Sequence, residues 1–450
     1  MKLTIGGRGW FVRVEPVLRL ALASLRAGLS HVGPALAYGA DDMRSPLVFL
    51  SFVCTAGLLA CSSAPPSDAP DSGVVAIADS GAVAPDVGID AGFEAPDAGF
   101  EAPDAGFFPD ARVDRPLAPT WAAAGALPPV NGSNVPMDRW ASAVIEIPEE
   151  HRFFVFGGNT APAGPTTNDL FFYSVDDQTW TQVMADPMPP PRFCHCGAYI
   201  PELRTVFIEG GRDDRDALTP NGWLFSLDTM SWERVMGGAP AGVVGCNAVW
   251  MPSFPGGGRV IMFGGDSRSG LKDETWSYNP ATKQFEFLQP AHTPPSRRDT
   301  HLMYDPGENG QGRVLMWSGS SVVFPANRAM QRDDLWAFDG TDWTEIPMPA
   351  AHPAARRYGG SAFDVSRREW IVFGGTKETS DFGDLWRFDA ARNTWEELTA
   401  MGPGGGDLPH ARGFPLFGYD VASEQYLLFG GYTQPAYTDV RAGWSLRLRP

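Results

Sequence analysis

The chain has 450 residues and a formal charge of −18 at pH 7. That balance excludes binding modes that need a basic face, so neither nucleic acid nor charge-driven docking on anionic lipid is expected. Its 51 glycines, 41 prolines and 15 tryptophans suit many short strands joined by tight turns better than a helical protein.

Residues 43–61 read MRSPLVFLSFVCTAGLLAC: a basic residue, Arg44, an apolar run from Leu47 to Leu59, a small residue, then Cys61. The run is too short to span a bilayer comfortably and has the layout of a secretory signal. Leu58-Leu59-Ala60-Cys61 resembles a bacterial lipobox, which implies that Cys61 carries a lipid and heads the mature chain. An ordinary signal peptide or a buried apolar strand is the other reading. Residues 1–42 then read as an upstream extension or mis-assigned start, and 43–60 as the signal peptide. Residues 61–118 carry 11 Asp and Glu against Arg112 and Arg115, with the near-repeat DAGFEAPDAGFEAPDAGFFPDA at 90–111. Such a stretch buries too little apolar surface to offset its ordering entropy, so a disordered, extended acidic linker is expected. Ser62, where some lipoproteins carry an inner-membrane retention aspartate, favours the outer membrane of a cell envelope, facing the periplasm or the exterior.

From about Pro119 one signal recurs: an apolar run closed by two small residues. The instances are FFVFGG, VFIEGG, VIMFGG, VLMWSG, WIVFGG and YLLFGG, with first small residues at 157, 210, 264, 318, 374 and 430. A spacing of 53 to 56 residues marks an array of supersecondary units. In each unit a polar loop follows, then an aromatic strand, and in the first five a turn and a strand opening on Trp180, Trp232, Phe285, Trp343 or Trp395. A Pro-rich connector then leads to an arginine: Arg139, Arg192, Arg298, Arg357 and Arg412, with AGVVGCNAV in the third unit instead. Four antiparallel strands per unit cannot bury both faces, so six units must stack and close into a ring.

This pattern resembles the kelch repeat over residues 119–450. The resemblance implies an all-β chain folded as a six-bladed kelch-type β-propeller. The last unit ends at RAGWSLRLRP (441–450) with no fourth strand, while PTWAAAGALPPV (119–130) matches a fourth strand standing before the first unit. The N-terminal strand is therefore expected to complete the last blade and clasp the ring.

The five cysteines are Cys54, Cys61, Cys194, Cys196 and Cys246, too few for a disulfide scaffold and not in zinc-ligand spacing. Cys194-His195-Cys196 invites a metal reading, but strand alternation sends His195 away from the two thiols. Aligning Gly197-Ala198 with Asn247-Ala248 brings Cys196 level with Cys246, so a disulfide and buried free thiols both stand, and no metal or cofactor is expected. The repeated arginines read as ion-paired groups at the channel mouth.

A ligand would meet the loops after the glycine pairs. These hold Arg212, Asp213, Asp214 and Asp216, the apolar Val322, Val323 and Phe324, then Lys377, Glu378 and Tyr432. The three aspartates suit either a cation or a solvated loop. No nucleophile motif or phosphate loop is present. The expected function is a non-catalytic binding or scaffold module, monomeric, touching membrane only through its anchor and recognising a protein or glycan. The alternative is a carbohydrate-active or copper-dependent oxidative enzyme, because related propellers of the galactose oxidase kind carry such chemistry.

Overall fold

The computed structural model describes residues 117–126, 139–160, 164–236, 240, 242–323, 328–400, 402, 408–433 and 442–449. These residues form six antiparallel sheets, one per repeat, each of four consecutive strands or their equivalent. Blade 1 holds Ala143–Ile147, Arg152–Thr160, Thr166–Ser174 and Thr179–Val183, with the short Arg139–Trp140 beside the second of these. Blade 2 holds Cys196–Ile200, Thr205–Glu209, Trp223–Ser226 and Ser231–Arg234. Blade 3 holds Asn247–Met251, Arg259–Phe263, Thr275–Asn279 and Gln284–Leu288. Blade 4 holds His301–Asp305, Arg313–Trp317, Leu335–Phe338 and Trp343–Ile346. Blade 5 holds Gly360–Asp364, Glu369–Phe373, Leu385–Asp389 and Thr394–Leu398.

Blade 6 supplies Leu416–Asp420, Gln425–Phe429 and Ala442–Arg447 from the end of the chain, and its outermost strand is Thr120–Ala126. Thr120 pairs with Arg447, Trp121 with Leu446 and Ala123 with Trp444. The strand missing after Trp444 is thus found before the first repeat, and the fold is a closed six-bladed propeller.

The buried apolar side chains gather in clusters between blades, one for each of the six junctions. A sheet flanked on both faces needs apolar residues on both, which is why the second strands read as unbroken apolar runs. In five of the six blades the aromatic near the start of the fourth strand packs on the preceding blade, against the residue just before its glycine pair. Trp232 meets Phe156 with ring centroids 4.9 Å apart, Trp343 meets Phe263 at 5.3 Å, Trp395 meets Trp317 at 5.2 Å, Trp121 meets Phe373 at 5.3 Å and Trp180 meets Phe429 at 5.4 Å.

The glycine pair does the complementary work. The second glycine of each pair donates its N–H to the carbonyl at the arginine position of the next blade. Gly158 reaches Arg192, Gly211 reaches Val243, Gly265 reaches Arg297, Gly319 reaches Arg356, Gly375 reaches Arg412, and Gly431 reaches Arg139, all at 2.7–3.2 Å. A Cβ on Gly157 would lie 2.6 Å from the Arg192 carbonyl oxygen, and φ is +63° there, so only glycine fits cheaply. Ser318 takes the same place with φ +75° and spends its hydroxyl on the Arg356 carbonyl at 2.8 Å. That hydrogen bond is the local compensation for a non-glycine residue in the left-handed region.

Candidate functional site: the channel mouth

Each blade enters its first strand through the same short bend, a buried residue, one further residue and then one with positive φ. The last of these are Ala141, Cys194, Gly245, Asp299, Tyr358 and Phe414, with φ between 49° and 70° where the residue is described as left-handed. They link around the opening: Cys194 N–H donates to the Ala141 carbonyl, Gly245 to Cys194, Asp299 to Gly245 and Phe414 to Tyr358, at 2.6–2.9 Å. Because this residue is left-handed, simple alternation of side chains fails here, and so does any register counted through it.

Two readings from the sequence change for that reason. The buried arginine of the repeat is Arg139, Arg192, Arg297, Arg356 and Arg412, each 1% exposed or less. Arg298 and Arg357 stand one position later and are half-buried at the mouth. The inner arginines tie the glycine pair to the third strand of their own blade. Arg356 donates to the Gly374 carbonyl at 2.8 Å and grips Asp384 through two hydrogen bonds of 2.6 and 2.7 Å. Arg297 grips Asp334 in the same way and Arg139 grips Asp169. Trp386 and Trp336 donate their indole N–H to those carboxylates at 2.8 and 2.9 Å. Burial acts to raise the Asp334 and Asp384 carboxyls, but the arginine hydrogen bonds outweigh it and hold both below the usual range. These pairs are structural.

Cys196 and Cys246 form a disulfide between the first strands of blades 2 and 3. The strand pairing sets Cys196 opposite Glu209 and Asn247 opposite Phe263, so Cys196 is level with Asn247 and the bridge runs one residue diagonally. Cys194 keeps a free thiol, which burial and the neighbouring Asp299 push upward in pKa. Among the described residues no group of three or more His, Cys, Asp or Glu is arranged to hold a metal ion.

The junction of blades 2 and 3 departs from the pattern in a coordinated way. Glu209 replaces the aromatic before the glycine pair, Asn221 stands where Asp169, Asp334 and Asp384 stand in blades 1, 4 and 5, and Gly222 replaces the leucine that follows them. A Cβ on Gly222 would sit 2.7 Å from Glu209 Oε2, so the glutamate side chain fills the place of the missing leucine. Neither Glu209 oxygen has a hydrogen-bond partner, nor does Arg192 Nη2. Burial pushes the Glu209 carboxyl to about 8 against the opposing charge of Arg192. Its folded pKa is raised, so stability is greatest at low pH and declines as pH rises from the ordinary carboxylate range to about 8. Glu209→Phe combined with Asn221→Asp restores the ring and the carboxylate found in blades 1, 4 and 5. The double variant is expected to melt higher than wild type at pH 9 and to show a smaller advantage at pH 5, read by calorimetry.

Around the entry segments, aromatic rings and arginines lie against one another, and Tyr358 and Phe414 line the central opening. Trp140 lies 5.6 Å from Phe193, 5.2 Å from Phe414 and 5.8 Å from Tyr432, centroid to centroid. Tyr358 stacks on Phe414 at 3.7 Å. The Arg212 guanidinium lies 4.9 Å from the centroid of Phe193 and that of Arg357 4.5 Å from Tyr358. Arg298 pairs with Asp299 at 3.3 Å and Asp266 at 3.6 Å. Burial raises the Asp299 carboxyl to about 6, with Arg298, Arg357 and Arg212 pulling the other way.

The residues expected on the loop face divide. Arg212 and Tyr432 join this cluster through Phe193 and Trp140. Single backbone bridges place them beside the entry segments, Arg212 against Phe193 and Tyr432 against Gly413. Asp213 is taken up by its own loop, accepting from the N–H groups of Arg215 and Ala217 at 2.9 Å and from the Arg215 guanidinium. Asp216 pairs with Arg212 at 2.5 Å. Asp213, Asp214 and Asp216 border an open depression of about 380 Å3 together with Asn159 and Phe193. Val322 and Val323 lie in the strand Ser320–Val323, which hairpins onto Arg328–Gln331, and Phe324 falls outside the described residues. Lys377 and Glu378 are exposed on a hairpin formed by Thr376–Lys377 and Ser380–Asp381. Cys61 and everything before Leu117 also fall outside the described residues. The aromatic wall escaped the sequence reading, although its signal was present: Trp140, Phe193, Tyr358 and Phe414 stand one or two residues after an arginine in four of the repeats.

Comparison with known proteins agrees with this architecture. The model of the KLHDC2/KLHL20/DRC7 Kelch-repeats domain matches residues 141–308 and 257–431, together more than half of the chain. The chain belongs to that kelch-repeat family. It is 25% identical over 276 residues to multiple epidermal growth factor-like domains protein 8 of Rattus norvegicus, covering 58% of this chain but only 9% of that protein. It is 24% identical over 309 residues to kelch domain-containing protein 3 of Bos taurus, covering 64% of this chain and 76% of the relative. A shorter match, 29% over 119 residues, is to dynein regulatory complex subunit 7 of Chlamydomonas reinhardtii, covering 26% of this chain and 10% of that protein.

Proposed function

We propose that this kelch propeller is a non-catalytic module that binds a protein partner at the channel mouth, carried on a lipid-anchored acidic tether in a bacterial cell envelope. One observation carries the binding reading. Trp140, Tyr358, Phe414 and Tyr432 are half-buried, not covered, and they adjoin Arg212, Arg298 and Arg357. Aromatic and arginine side chains are the groups that anchor protein interfaces most strongly. The rigid ring fixes them on the entry segments of blades 1, 4, 5 and 6 and on the loops after two glycine pairs, so little ordering entropy is lost on binding. Support for the tether is the lipobox-like sequence ending at Cys61 and the acidic Pro-rich stretch after it.

The test compares the full chain with Trp140→Ala and Arg357→Ala, each assayed for proteins retained on the purified, immobilised chain. Both variants are expected to lose a retained partner at least about tenfold in affinity while melting within a few degrees of wild type. Retention unchanged by either substitution sinks the mouth as the docking site, and retention of a glycan in place of a protein redirects the ligand class. Cys61→Ser is expected to move the chain from the membrane fraction to the soluble one, and a variant that stays with the membrane contradicts the anchor.

A further inference from the structure

Three Asn-Gly pairs occur in the chain, at 131–132, 221–222 and 309–310. In such a pair the asparagine side chain can close on the next backbone nitrogen, because glycine has no side chain to shield it. The first pair falls outside the described residues. The other two sit in opposite settings.

Asn221 is pinned. Its N–H donates to the Thr219 carbonyl at 2.9 Å, its own carbonyl accepts from Arg192 Nη1 at 3.0 Å, and its side-chain oxygen accepts from Arg234. The Gly222 carbonyl accepts from the Val235 N–H at 2.9 Å, and the Glu209 side chain fills the space beside Gly222. Closing a ring between Asn221 and Gly222 would break these bonds.

Asn309 is not pinned. It lies in the loop 306–312, which joins His301–Asp305 to Arg313–Trp317 in blade 4. The first of these strands leaves the channel mouth, so the loop stands at the opposite end of the blade. Residues 308–311 are exposed. Among the described residues no hydrogen bond holds Asn309 or Gly310. Gly310 has φ +72°, and a Cβ there would meet nothing within 4 Å. The base of the loop is fixed instead. Asp305 accepts from the Gly307 N–H at 3.1 Å, from Arg313 at 3.0 Å and from Arg368 at 2.7 and 3.0 Å. The tip can therefore rearrange while the two strands keep their register.

We propose that Asn309 is a site of spontaneous deamidation in the folded chain, where it becomes isoaspartate and aspartate, and that the fold protects Asn221. The Gly310 backbone nitrogen gives up its proton and bonds to Asn309 Cγ. The bond from Cγ to the side-chain nitrogen breaks, and ammonia leaves with the proton. Water then opens the cyclic imide at either carbonyl, giving the isoaspartyl or the aspartyl chain. One water enters, one ammonia departs, and nothing is oxidised or reduced. The product adds one negative charge beside Glu308, which pairs with Arg368 at 3.3 Å. The site depends on neither the docking surface nor the anchor.

The experiment ages the full chain in mildly alkaline buffer, which favours loss of the Gly310 proton, and maps it by trypsin and mass spectrometry. The three pairs fall in separate peptides, 113–139, 216–234 and 299–313. Peptide 299–313 is expected to lose its amide and to split into two acidic forms, isoaspartyl and aspartyl. Peptide 216–234 is expected to react at least about tenfold more slowly, a barrier difference of about 1.4 kcal/mol. In urea that gap is expected to close, and Gly310→Ala is expected to slow the change at Asn309 at least about tenfold with the circular dichroism unchanged. The proposal is overturned if peptide 299–313 stays intact in the native chain while it reacts in urea. Equal native rates at Asn221 and Asn309 would overturn it too, and an aspartyl product without the isoaspartyl form would rule out the imide.

Discussion

Replacing Trp121 with alanine is expected to lower the unfolding free energy by about 3–5 kcal/mol, the range found when a large aromatic is removed from a packed site. Trp121 is 2% exposed and sits in the outermost strand of blade 6, which comes from the opposite end of the folded region. Its ring packs edge-on against Phe373 of blade 5 at 5.3 Å and against Trp444 at 6.5 Å. The substitution therefore strikes a junction cluster and the closure of the ring together. Met184, 79% exposed on the outer wall, is the control, and its change to alanine is expected to fall within about 0.5 kcal/mol of wild type. Denaturant titration of both variants decides the matter. Equal midpoints for Trp121→Ala and wild type would show that the N-terminal strand does not hold the ring shut.

The second large effect separates two adjacent arginines. Arg356→Ala is expected to cost about 3–5 kcal/mol, because it strands the Asp384 carboxylate that two hydrogen bonds of 2.6 and 2.7 Å now hold. Arg357→Ala, one residue on, is expected to change stability by less than about 1 kcal/mol, since its guanidinium lies over Tyr358 and makes no ion pair among the described residues. The pH dependence distinguishes the two further. The folded-state pKa of Asp384 is lowered, so the pair contributes stability above the unfolded carboxylate value of about 3.9 and loses it as pH falls through the folded one. Wild type should weaken on acidification below about pH 4, and Arg356→Ala should have lost that part of the decline. Urea titrations from pH 2 to pH 7 read both features. A similar loss from the two substitutions would mean that the inner and outer arginines share one role.

The repeat was legible because its parts obey hard constraints. Only glycine, or a serine that uses its hydroxyl, fits where the Cβ would meet the next blade's carbonyl. Only a large ring at Trp232 or Trp395 reaches the aromatic before the previous blade's glycine pair. Those two rules fix the period, the number of blades and the position of the strand at Thr120. What the sequence hid were registers and partners. The Arg297-Arg298 and Arg356-Arg357 doublets cannot be split by spacing alone, and the left-handed residues Asp299 and Tyr358 interrupt the alternation that would place them. Matching Gly197-Ala198 to Asn247-Ala248 set Cys196 level with Cys246, one residue away from Asn247, with which the strand pairing levels it. Asp169, Asp334 and Asp384 follow their small-residue pairs at unequal distances, because the loops between differ in length, so their partnership with the arginines shows only in three dimensions. The aromatic wall at the mouth is assembled from residues far apart in the chain, Trp140 beside Tyr432 and Phe193 beside Arg212. The filling of the space beside Gly222 by the Glu209 side chain is likewise visible only in three dimensions.

Binding through the mouth is tested most directly by site-specific photo-cross-linking in cells that make the full chain. A photoreactive phenylalanine analogue placed at Tyr432 samples the mouth, and the same group at Met184 samples the outer wall. A discrete protein adduct at position 432 and none at 184, abolished when Trp140→Ala is added, is the expected result. Adducts at 184 with none at 432 would place the partner on the outer wall of the blades and contradict a binding site at the channel mouth.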